Sequence, residues 1–160
     1  MTKKNLEASI EIAAEPKIVW NILSDLTQMP RWSPQCQRML PLGRLRVGAY
    51  TVNVNRHGGK VWPTASRIER LEPHRAIAFR TLTNDSTWLF EMEAKSGGTR
   101  LTERRLVPPQ GTGWMSRTIV DLVLGGEDSF DDEMLDGINA TLAALKAAAE
   151  HANQSATERG

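Results

Sequence analysis

The amino-acid sequence predicts an α+β fold in which a curved antiparallel β-sheet wraps around one long C-terminal α-helix. Three observations lead there. Between residues 48 and 107 apolar and polar side chains alternate with a period of two, interrupted by short turns, the pattern of an antiparallel meander. From Phe130 the spacing changes to three or four residues, through Met134, Ile138, Leu142 and Leu145, which is one face of a helix. A chain of 160 residues, 40% hydrophobic and 24% charged, suits a single core. We therefore expect one domain over residues 1–150 and a frayed tail over 151–160, where the apolar face ends.

Taken in order, Leu6, Ala8, Ile10 and Ile12 alternate with Glu7, Ser9 and Glu11, a half-buried strand. Glu15-Pro16 opens a helix, since proline in the first turn loses no hydrogen bond. Ile18, Val19, Ile22, Leu23 and Leu26 supply its apolar face. Two prolines bracket Trp32 in the segment 29–34, which reads as an irregular connection.

Tyr50, Val52 and Val54 share a face of the next strand, and Arg56-His57-Gly58-Gly59 reads as a hairpin turn. Trp62, Thr64, Ser66 and Ile68 align on the strand that follows. Turns at 72–74, 84–86 and 96–98 separate Ile77, Phe79 and Thr81 from Trp88, Phe90 and Met92, and these from Leu101, Glu103, Arg105 and Val107. Trp114 to Leu124 forms an amphipathic helical piece, broken by Gly125-Gly126. Ser129 with Asp132 three residues on resembles a capping box, starting a helix over Ser129–Glu150.

Charge and cysteine content narrow the function classes. A net charge of +1, from 20 basic and 19 acidic residues scattered along the chain, shows no basic stripe of the kind nucleic acid selects. The five tryptophans therefore read as core and cavity lining. The residues after Lys3 and Lys4 lack the apolar run of a secretory signal. Thr118 to Leu124 is too short to span a bilayer and contains Asp121, so no integral membrane segment is expected. Cys36 is the single cysteine, which excludes an internal disulfide and suits a reducing cytoplasm. With no histidine near it in sequence, it reads as buried or tolerated rather than nucleophilic.

A single helix cannot fill a wide concave sheet, so this architecture predicts a cavity between the two. We assign Tyr50, Trp62, Phe79, Trp88, Phe90 and Met92 to the inward face, with Met134 and Ile138 opposite on the helix. Such a cavity falls in the range of roughly 300–1,000 Å³ and takes a small hydrophobic ligand. Thr64, Ser66, Glu103 and Arg105 lie on the same inward face, and buried charge there requires a reason.

Laid out this way, the chain resembles the START-like (SRPBCC) superfamily with the helix-grip fold, in its polyketide cyclase/dehydrase-type branch. The resemblance rests on Ile10 to Trp20, on Asp25 to Pro34 with Trp32, and on Gly48 to Arg56. It continues through Trp62 to Ile68, Glu72-Pro73, Thr87 to Phe90, Gly98 to Glu103 and Gly137 to Lys146. It implies a ligand cavity and leaves the ligand open, because members bind lipids, sterols, polyketides or hormones and some catalyse cyclisation.

No cofactor is implied. His57, His74 and His151 share no face and form no metal set. The segment His57-Gly58-Gly59 lacks the context of a phosphate loop, and no nucleophile elbow is present. Glu103 is the candidate acid/base, its carboxyl raised in pKa by an apolar cavity. Alternatively it is neutralised by Arg105, or by Arg80 or Arg67 across the sheet. Asn55 either orients a ligand carbonyl or finishes the hairpin. Candidate ligand contacts are Trp32, Tyr50, Trp62, Ser66, Phe79, Trp88, Phe90, Arg105, Met134 and Ile138. Three functions stay open: a ligand carrier, a cyclase- or dehydratase-like enzyme, and a surface-acting interaction protein with a filled core. The oligomeric state also stays open, a homodimer included.

Overall fold

A computed structural model describes residues 5–108 and 127–159, with side chains in the C-terminal helix described from Asp132 onward. Trp114 to Leu124 and Gly125-Gly126, read above as a helical piece and its break, lie outside the described residues. Strand β1 (Leu6–Ile12) leads into α1 (Pro16–Leu23), a 3₁₀ turn (Leu26–Gln28) and the short α2 (Met29–Trp32). Six strands follow, β2 (Cys36–Pro41), β3 (Tyr50–His57), β4 (Lys60–Glu72), β5 (Ala76–Thr81), β6 (Thr87–Lys95) and β7 (Gly98–Leu106). Helix α3 (Glu127–Arg159) closes the chain.

The strands form one antiparallel sheet in the order β1-β7-β6-β5-β4-β3-β2, so β1 and β2 are its edges and β1 closes the meander by pairing with β7. Register shifts at Cys36/Arg38 and Ile68/Arg70 insert single residues. Such bulges increase local twist and bend the sheet. Chain turns use the left-handed backbone that they need, at Gly97 (φ 81°) and, more unusually, at Asp85 (φ 56°). The convex face carries ion-paired arginines: Arg67 and Arg80 share Glu69, Arg70 holds Glu72, and Arg104 holds Glu91.

Proline opens α1 as expected, and Val19, Trp20 and Leu23 turn into the core. Ile138, Leu142 and Leu145 of α3 meet them, together with Ile68, Phe90 and Leu101 of the sheet. Helix α3 lies chiefly along β1, α1 and α2, and touches β7. Among the described residues it makes fewer contacts with β3–β6, where Met134 reaches over the concave side. Polar clamps fasten it to the end of β1. The Ala13 amide donates to Glu150 Oε2 (2.9 Å), Lys146 Nζ donates to the Glu11 carbonyl (2.8 Å), and Asn153 Nδ2 donates to the Ala13 carbonyl (3.2 Å).

Three sequence expectations change. Segment 29–34 contains a short helix, and β2 follows it as a seventh strand that the sequence pattern did not reveal. Only Cys36 and Met39 of β2 are buried, and the bulge between them breaks the alternation. Helix α3 begins at Glu127, two residues before the Ser129 of the supposed capping box. It also continues to Arg159 instead of fraying near residue 151, and Asn153 is tied there to the Ala13 carbonyl just past β1.

Candidate functional site

The concave face of β3–β7 lines a cavity of about 140 Å³, smaller than its sequence-based expectation. Its aromatic wall comes from adjacent strands whose inward positions are set by register: Trp62 on β4, Phe79 on β5, and Trp88 with Phe90 on β6. Met134 reaches in from α3, while Met29, Cys36 and Met39 close the side beneath β2.

Beside this wall, on β3 and β4, stands a polar ladder. Asn53 is its hub: Thr51 Oγ1 donates to Asn53 Oδ1 (2.9 Å), and Asn53 Nδ2 donates to Ser66 Oγ (2.9 Å) and Thr64 Oγ1 (3.2 Å). Asn55 Nδ2 donates to the same Thr64 hydroxyl (2.9 Å), so its side chain belongs to the ladder rather than to the hairpin turn. A buried polar group costs little when bonded in this way, and the ladder keeps hydroxyl and amide groups at the cavity surface.

Glu103 and Arg105 form the floor, both buried on β7. Glu103 is 3% exposed, and among the described residues its Oε2 has no hydrogen-bond partner. Burial pushes its carboxyl well above the usual carboxylate range. The alternative that Arg80 or Arg67 neutralises it is excluded by strand parity. Both arginines project from the convex face, where Glu69 binds them at 2.8 and 2.6 Å. Nor does Arg105 hold the carboxyl down, since desolvation is the cause that acts on it. The result is a carboxyl that holds its proton to higher pH than an ordinary carboxylate does, facing a cavity. A neutral carboxyl can donate a hydrogen bond or a proton, which a carboxylate cannot.

Cys36 also faces the cavity, its Sγ donating to the Arg38 carbonyl at 3.4 Å. Burial raises the thiol to about 11, so it is protonated at neutral pH and a poor nucleophile. Among the described residues, no three histidine, cysteine or acidic side chains are placed to hold a metal.

Of the residues singled out in sequence, the structure brings together Trp62, Ser66, Phe79, Trp88, Phe90, Glu103, Arg105 and Met134. Three others fall elsewhere. Ile138 is packed in the core and does not line the cavity. Trp32 packs at the core margin beneath Arg31, whose guanidinium lies 5.4 Å from its ring. Tyr50 is the clear correction: it is 47% exposed on the convex face. Strand β3 is inside-out, with Thr51 and Asn53 buried while Tyr50 and Val52 are exposed. Hairpin arithmetic carries the missed signal. With His57 paired to Lys60, Trp62 pairs with Asn55 and Ser66 with Thr51, so inward Trp62 and Ser66 require inward asparagine and threonine.

Comparison with known proteins matches this geometry to a fold. Zhui aromatase/cyclase of Streptomyces sp. R1128 superposes with TM-score 0.64 at 20% identity, over 92% of this chain and 93% of that one. The protein TTHA0849 of Thermus thermophilus gives 0.70 at 14% identity, over 93% and 99%. The polyketide-cyclase-like protein Cgl2372 of Corynebacterium glutamicum gives 0.58 at 26% identity, over 89% and 88%. No curated protein matches by sequence. A family model does, across residues 3–150, and the chain belongs to the family described as polyketide cyclase / dehydrase and lipid transport.

Proposed function

We propose that the protein binds a small hydrophobic, lipid- or polyketide-like ligand between sheet and helix, with a ligand oxygen directed at Glu103. The observation that carries this reading is the buried carboxyl of Glu103 on the floor of an aromatic cavity, pushed well above the usual carboxylate range and with no partner for Oε2 among the described residues. A solid core gives such a group no reason to be there, because an unsatisfied buried polar atom costs about 1–3 kcal/mol. A ligand carbonyl or hydroxyl would satisfy it. As it stands, the cavity of about 140 Å³ admits roughly one aromatic ring. A polycyclic ligand requires the walls to part. We further propose a cytoplasmic location, on the single cysteine, and no cofactor.

A second reading is favoured by the same group. A protonated carboxyl beside a bound carbonyl is a general acid, as a cyclase- or dehydratase-type reaction needs, and the family's description includes both activities. Zhui, which shares the fold, is named an aromatase/cyclase.

The test is a fluorescence titration with neutral aromatic ketones, read through Trp62 and Trp88. Saturable quenching is expected in the wild type and in Glu103→Gln, whose amide still donates a hydrogen bond. Glu103→Leu should bind about ten-fold more weakly, the value of one hydrogen bond. If turnover occurs, Glu103→Gln should abolish it and leave binding intact. No saturable quenching by any ketone, together with no apolar molecule in native mass spectra of protein purified from its source, overturns the reading.

A further inference from the structure

The net charge of +1 conceals an uneven distribution. Between Leu26 and Ile68 the chain carries seven basic residues and not one acidic residue. Most of this stretch is β2, β3, their connection and the first half of β4, at one edge of the sheet. On the convex face, Arg67 at the end of this stretch and Arg70, Arg80, Arg100 and Arg104 beyond it meet carboxylates. Arg38, Arg44, Arg46 and Arg56 are exposed and make no ion pair among the described residues. Arg46 and Arg56 donate only to backbone carbonyls there, those of Val47 and Gly58.

The same edge exposes the protein's apolar side chains. Among the described residues, six of the seven exposed large hydrophobics lie between Leu40 and Val61. Leu40, Val52 and Ala65 are direct cross-strand partners and form a row over β2, β3 and β4. Beside it the β2–β3 connection presents Leu42 at 58% and Val47 at 51% exposure, interleaved with Arg44 and Arg46. Tyr50 stands at its base. This face exists because β3 is inside-out: its polar residues line the cavity, which sends tyrosine and valine outward.

We infer that the outer face of β2–β3 with the 42–48 connection is a docking surface for an anionic phospholipid bilayer. Aliphatic side chains beside unpaired arginines and a tyrosine match the two layers of such a surface, acyl boundary below and phosphate above. Each arginine near an anionic leaflet adds about 1 kcal/mol, roughly five-fold in partitioning. A symmetric dimer through this face fits worse, because it would set the four arginines against their own copies. Nucleic acid would use the arginines but leave Leu40, Leu42, Val47 and Val52 without a partner. The inference concerns the convex face and stands independently of what the cavity holds.

The test is co-sedimentation of the whole protein with vesicles, phosphatidylcholine alone against phosphatidylcholine with about 30% phosphatidylglycerol. Binding is expected only to the anionic vesicles, and is expected to fall steeply by about 0.5 M salt. Arg44→Ala with Arg46→Ala should weaken it about 25-fold, the product of two five-fold losses. Leu42→Asp with Val47→Asp should abolish it, with unchanged thermal melts showing that both variants fold. Absence of wild-type binding to anionic vesicles, equal binding to neutral ones, or undiminished binding by the variants overturns the proposal. A concentration-dependent dimer in sedimentation velocity that both variants break would assign the surface to a second copy, and overturns it too.

Discussion

Phe90 and Glu103 are direct partners across β6 and β7, and on its other side Glu103 is paired with Ala8 of β1. A carboxyl thus stands between an aromatic ring and a methyl group, neither of which can bond to it. That placement is why burial governs its titration, and it makes the protonation of this one group measurable in the whole molecule.

The first expectation concerns pH. In the unfolded chain Glu103 ionises near its ordinary value of 4.5, whereas in the folded protein it holds its proton to higher pH. The folded state therefore binds more protons across that window, and stability falls as pH rises from about 4.5 toward the raised folded value. One such group contributes a slope of up to about 1.4 kcal/mol per pH unit. Glu103→Gln should remove this contribution and be the more stable protein at pH 8. Urea unfolding of both proteins between pH 5 and 8 measures it, and parallel curves would show that Glu103 does not titrate as described.

Asn53 should matter more than its position on an edge-proximal strand suggests. Asn53→Ala removes the acceptor for Thr51 and the donor to Ser66 and Thr64 in one step. We expect a loss of about 2 kcal/mol, from buried hydroxyls left without partners. Chemical denaturation of the variant checks this, and a change under about 0.5 kcal/mol would show that water replaces the amide freely.

Gly98 should tolerate no side chain. A Cβ built there overlaps the Ile12 carbonyl oxygen and lies 3.1 Å from its carbon, so β1 and β7 would have to separate. Backbone cannot rotate away as a flexible side chain can. Gly98→Ala should cost about 3 kcal/mol or more, at the upper end of single substitutions. Gly97→Ala meets only open space, and its cost is the left-handed backbone (φ 81°), about 1 kcal/mol. Thermal melts of the two variants should rank them in that order.

Cys36 should resist alkylation. With its thiol raised to about 11, the thiolate fraction at pH 8 is on the order of 100-fold below that of an ordinary cysteine, before burial limits access. Labelling by a disulfide reagent should be slow in the native protein and complete in guanidinium. Rapid native labelling would contradict the packing of β2 against α2.

The sequence by itself determined the fold class, the order of most elements, the long C-terminal helix and the parity of β4 to β7. Those follow from local periodicity, where the chain's own alternation states which side chains must be buried together. Trp62, Phe79, Trp88, Phe90 and Glu103 were legible for that reason. Periodicity failed on β2 and β3. The face of β3 that turns inward is the polar one, so hydrophobicity pointed Tyr50 the wrong way, and only pairing with β4 decides the matter. Whether Glu103 is neutralised was equally a tertiary question. Three arginines were available in sequence; the sheet turns two of them to the convex face, and burial rather than Arg105 governs the third pairing. The docking face is the same inversion seen from outside. A strand whose polar residues serve a cavity must present its apolar residues to whatever lies beyond the sheet, and no single-strand pattern records which side that is.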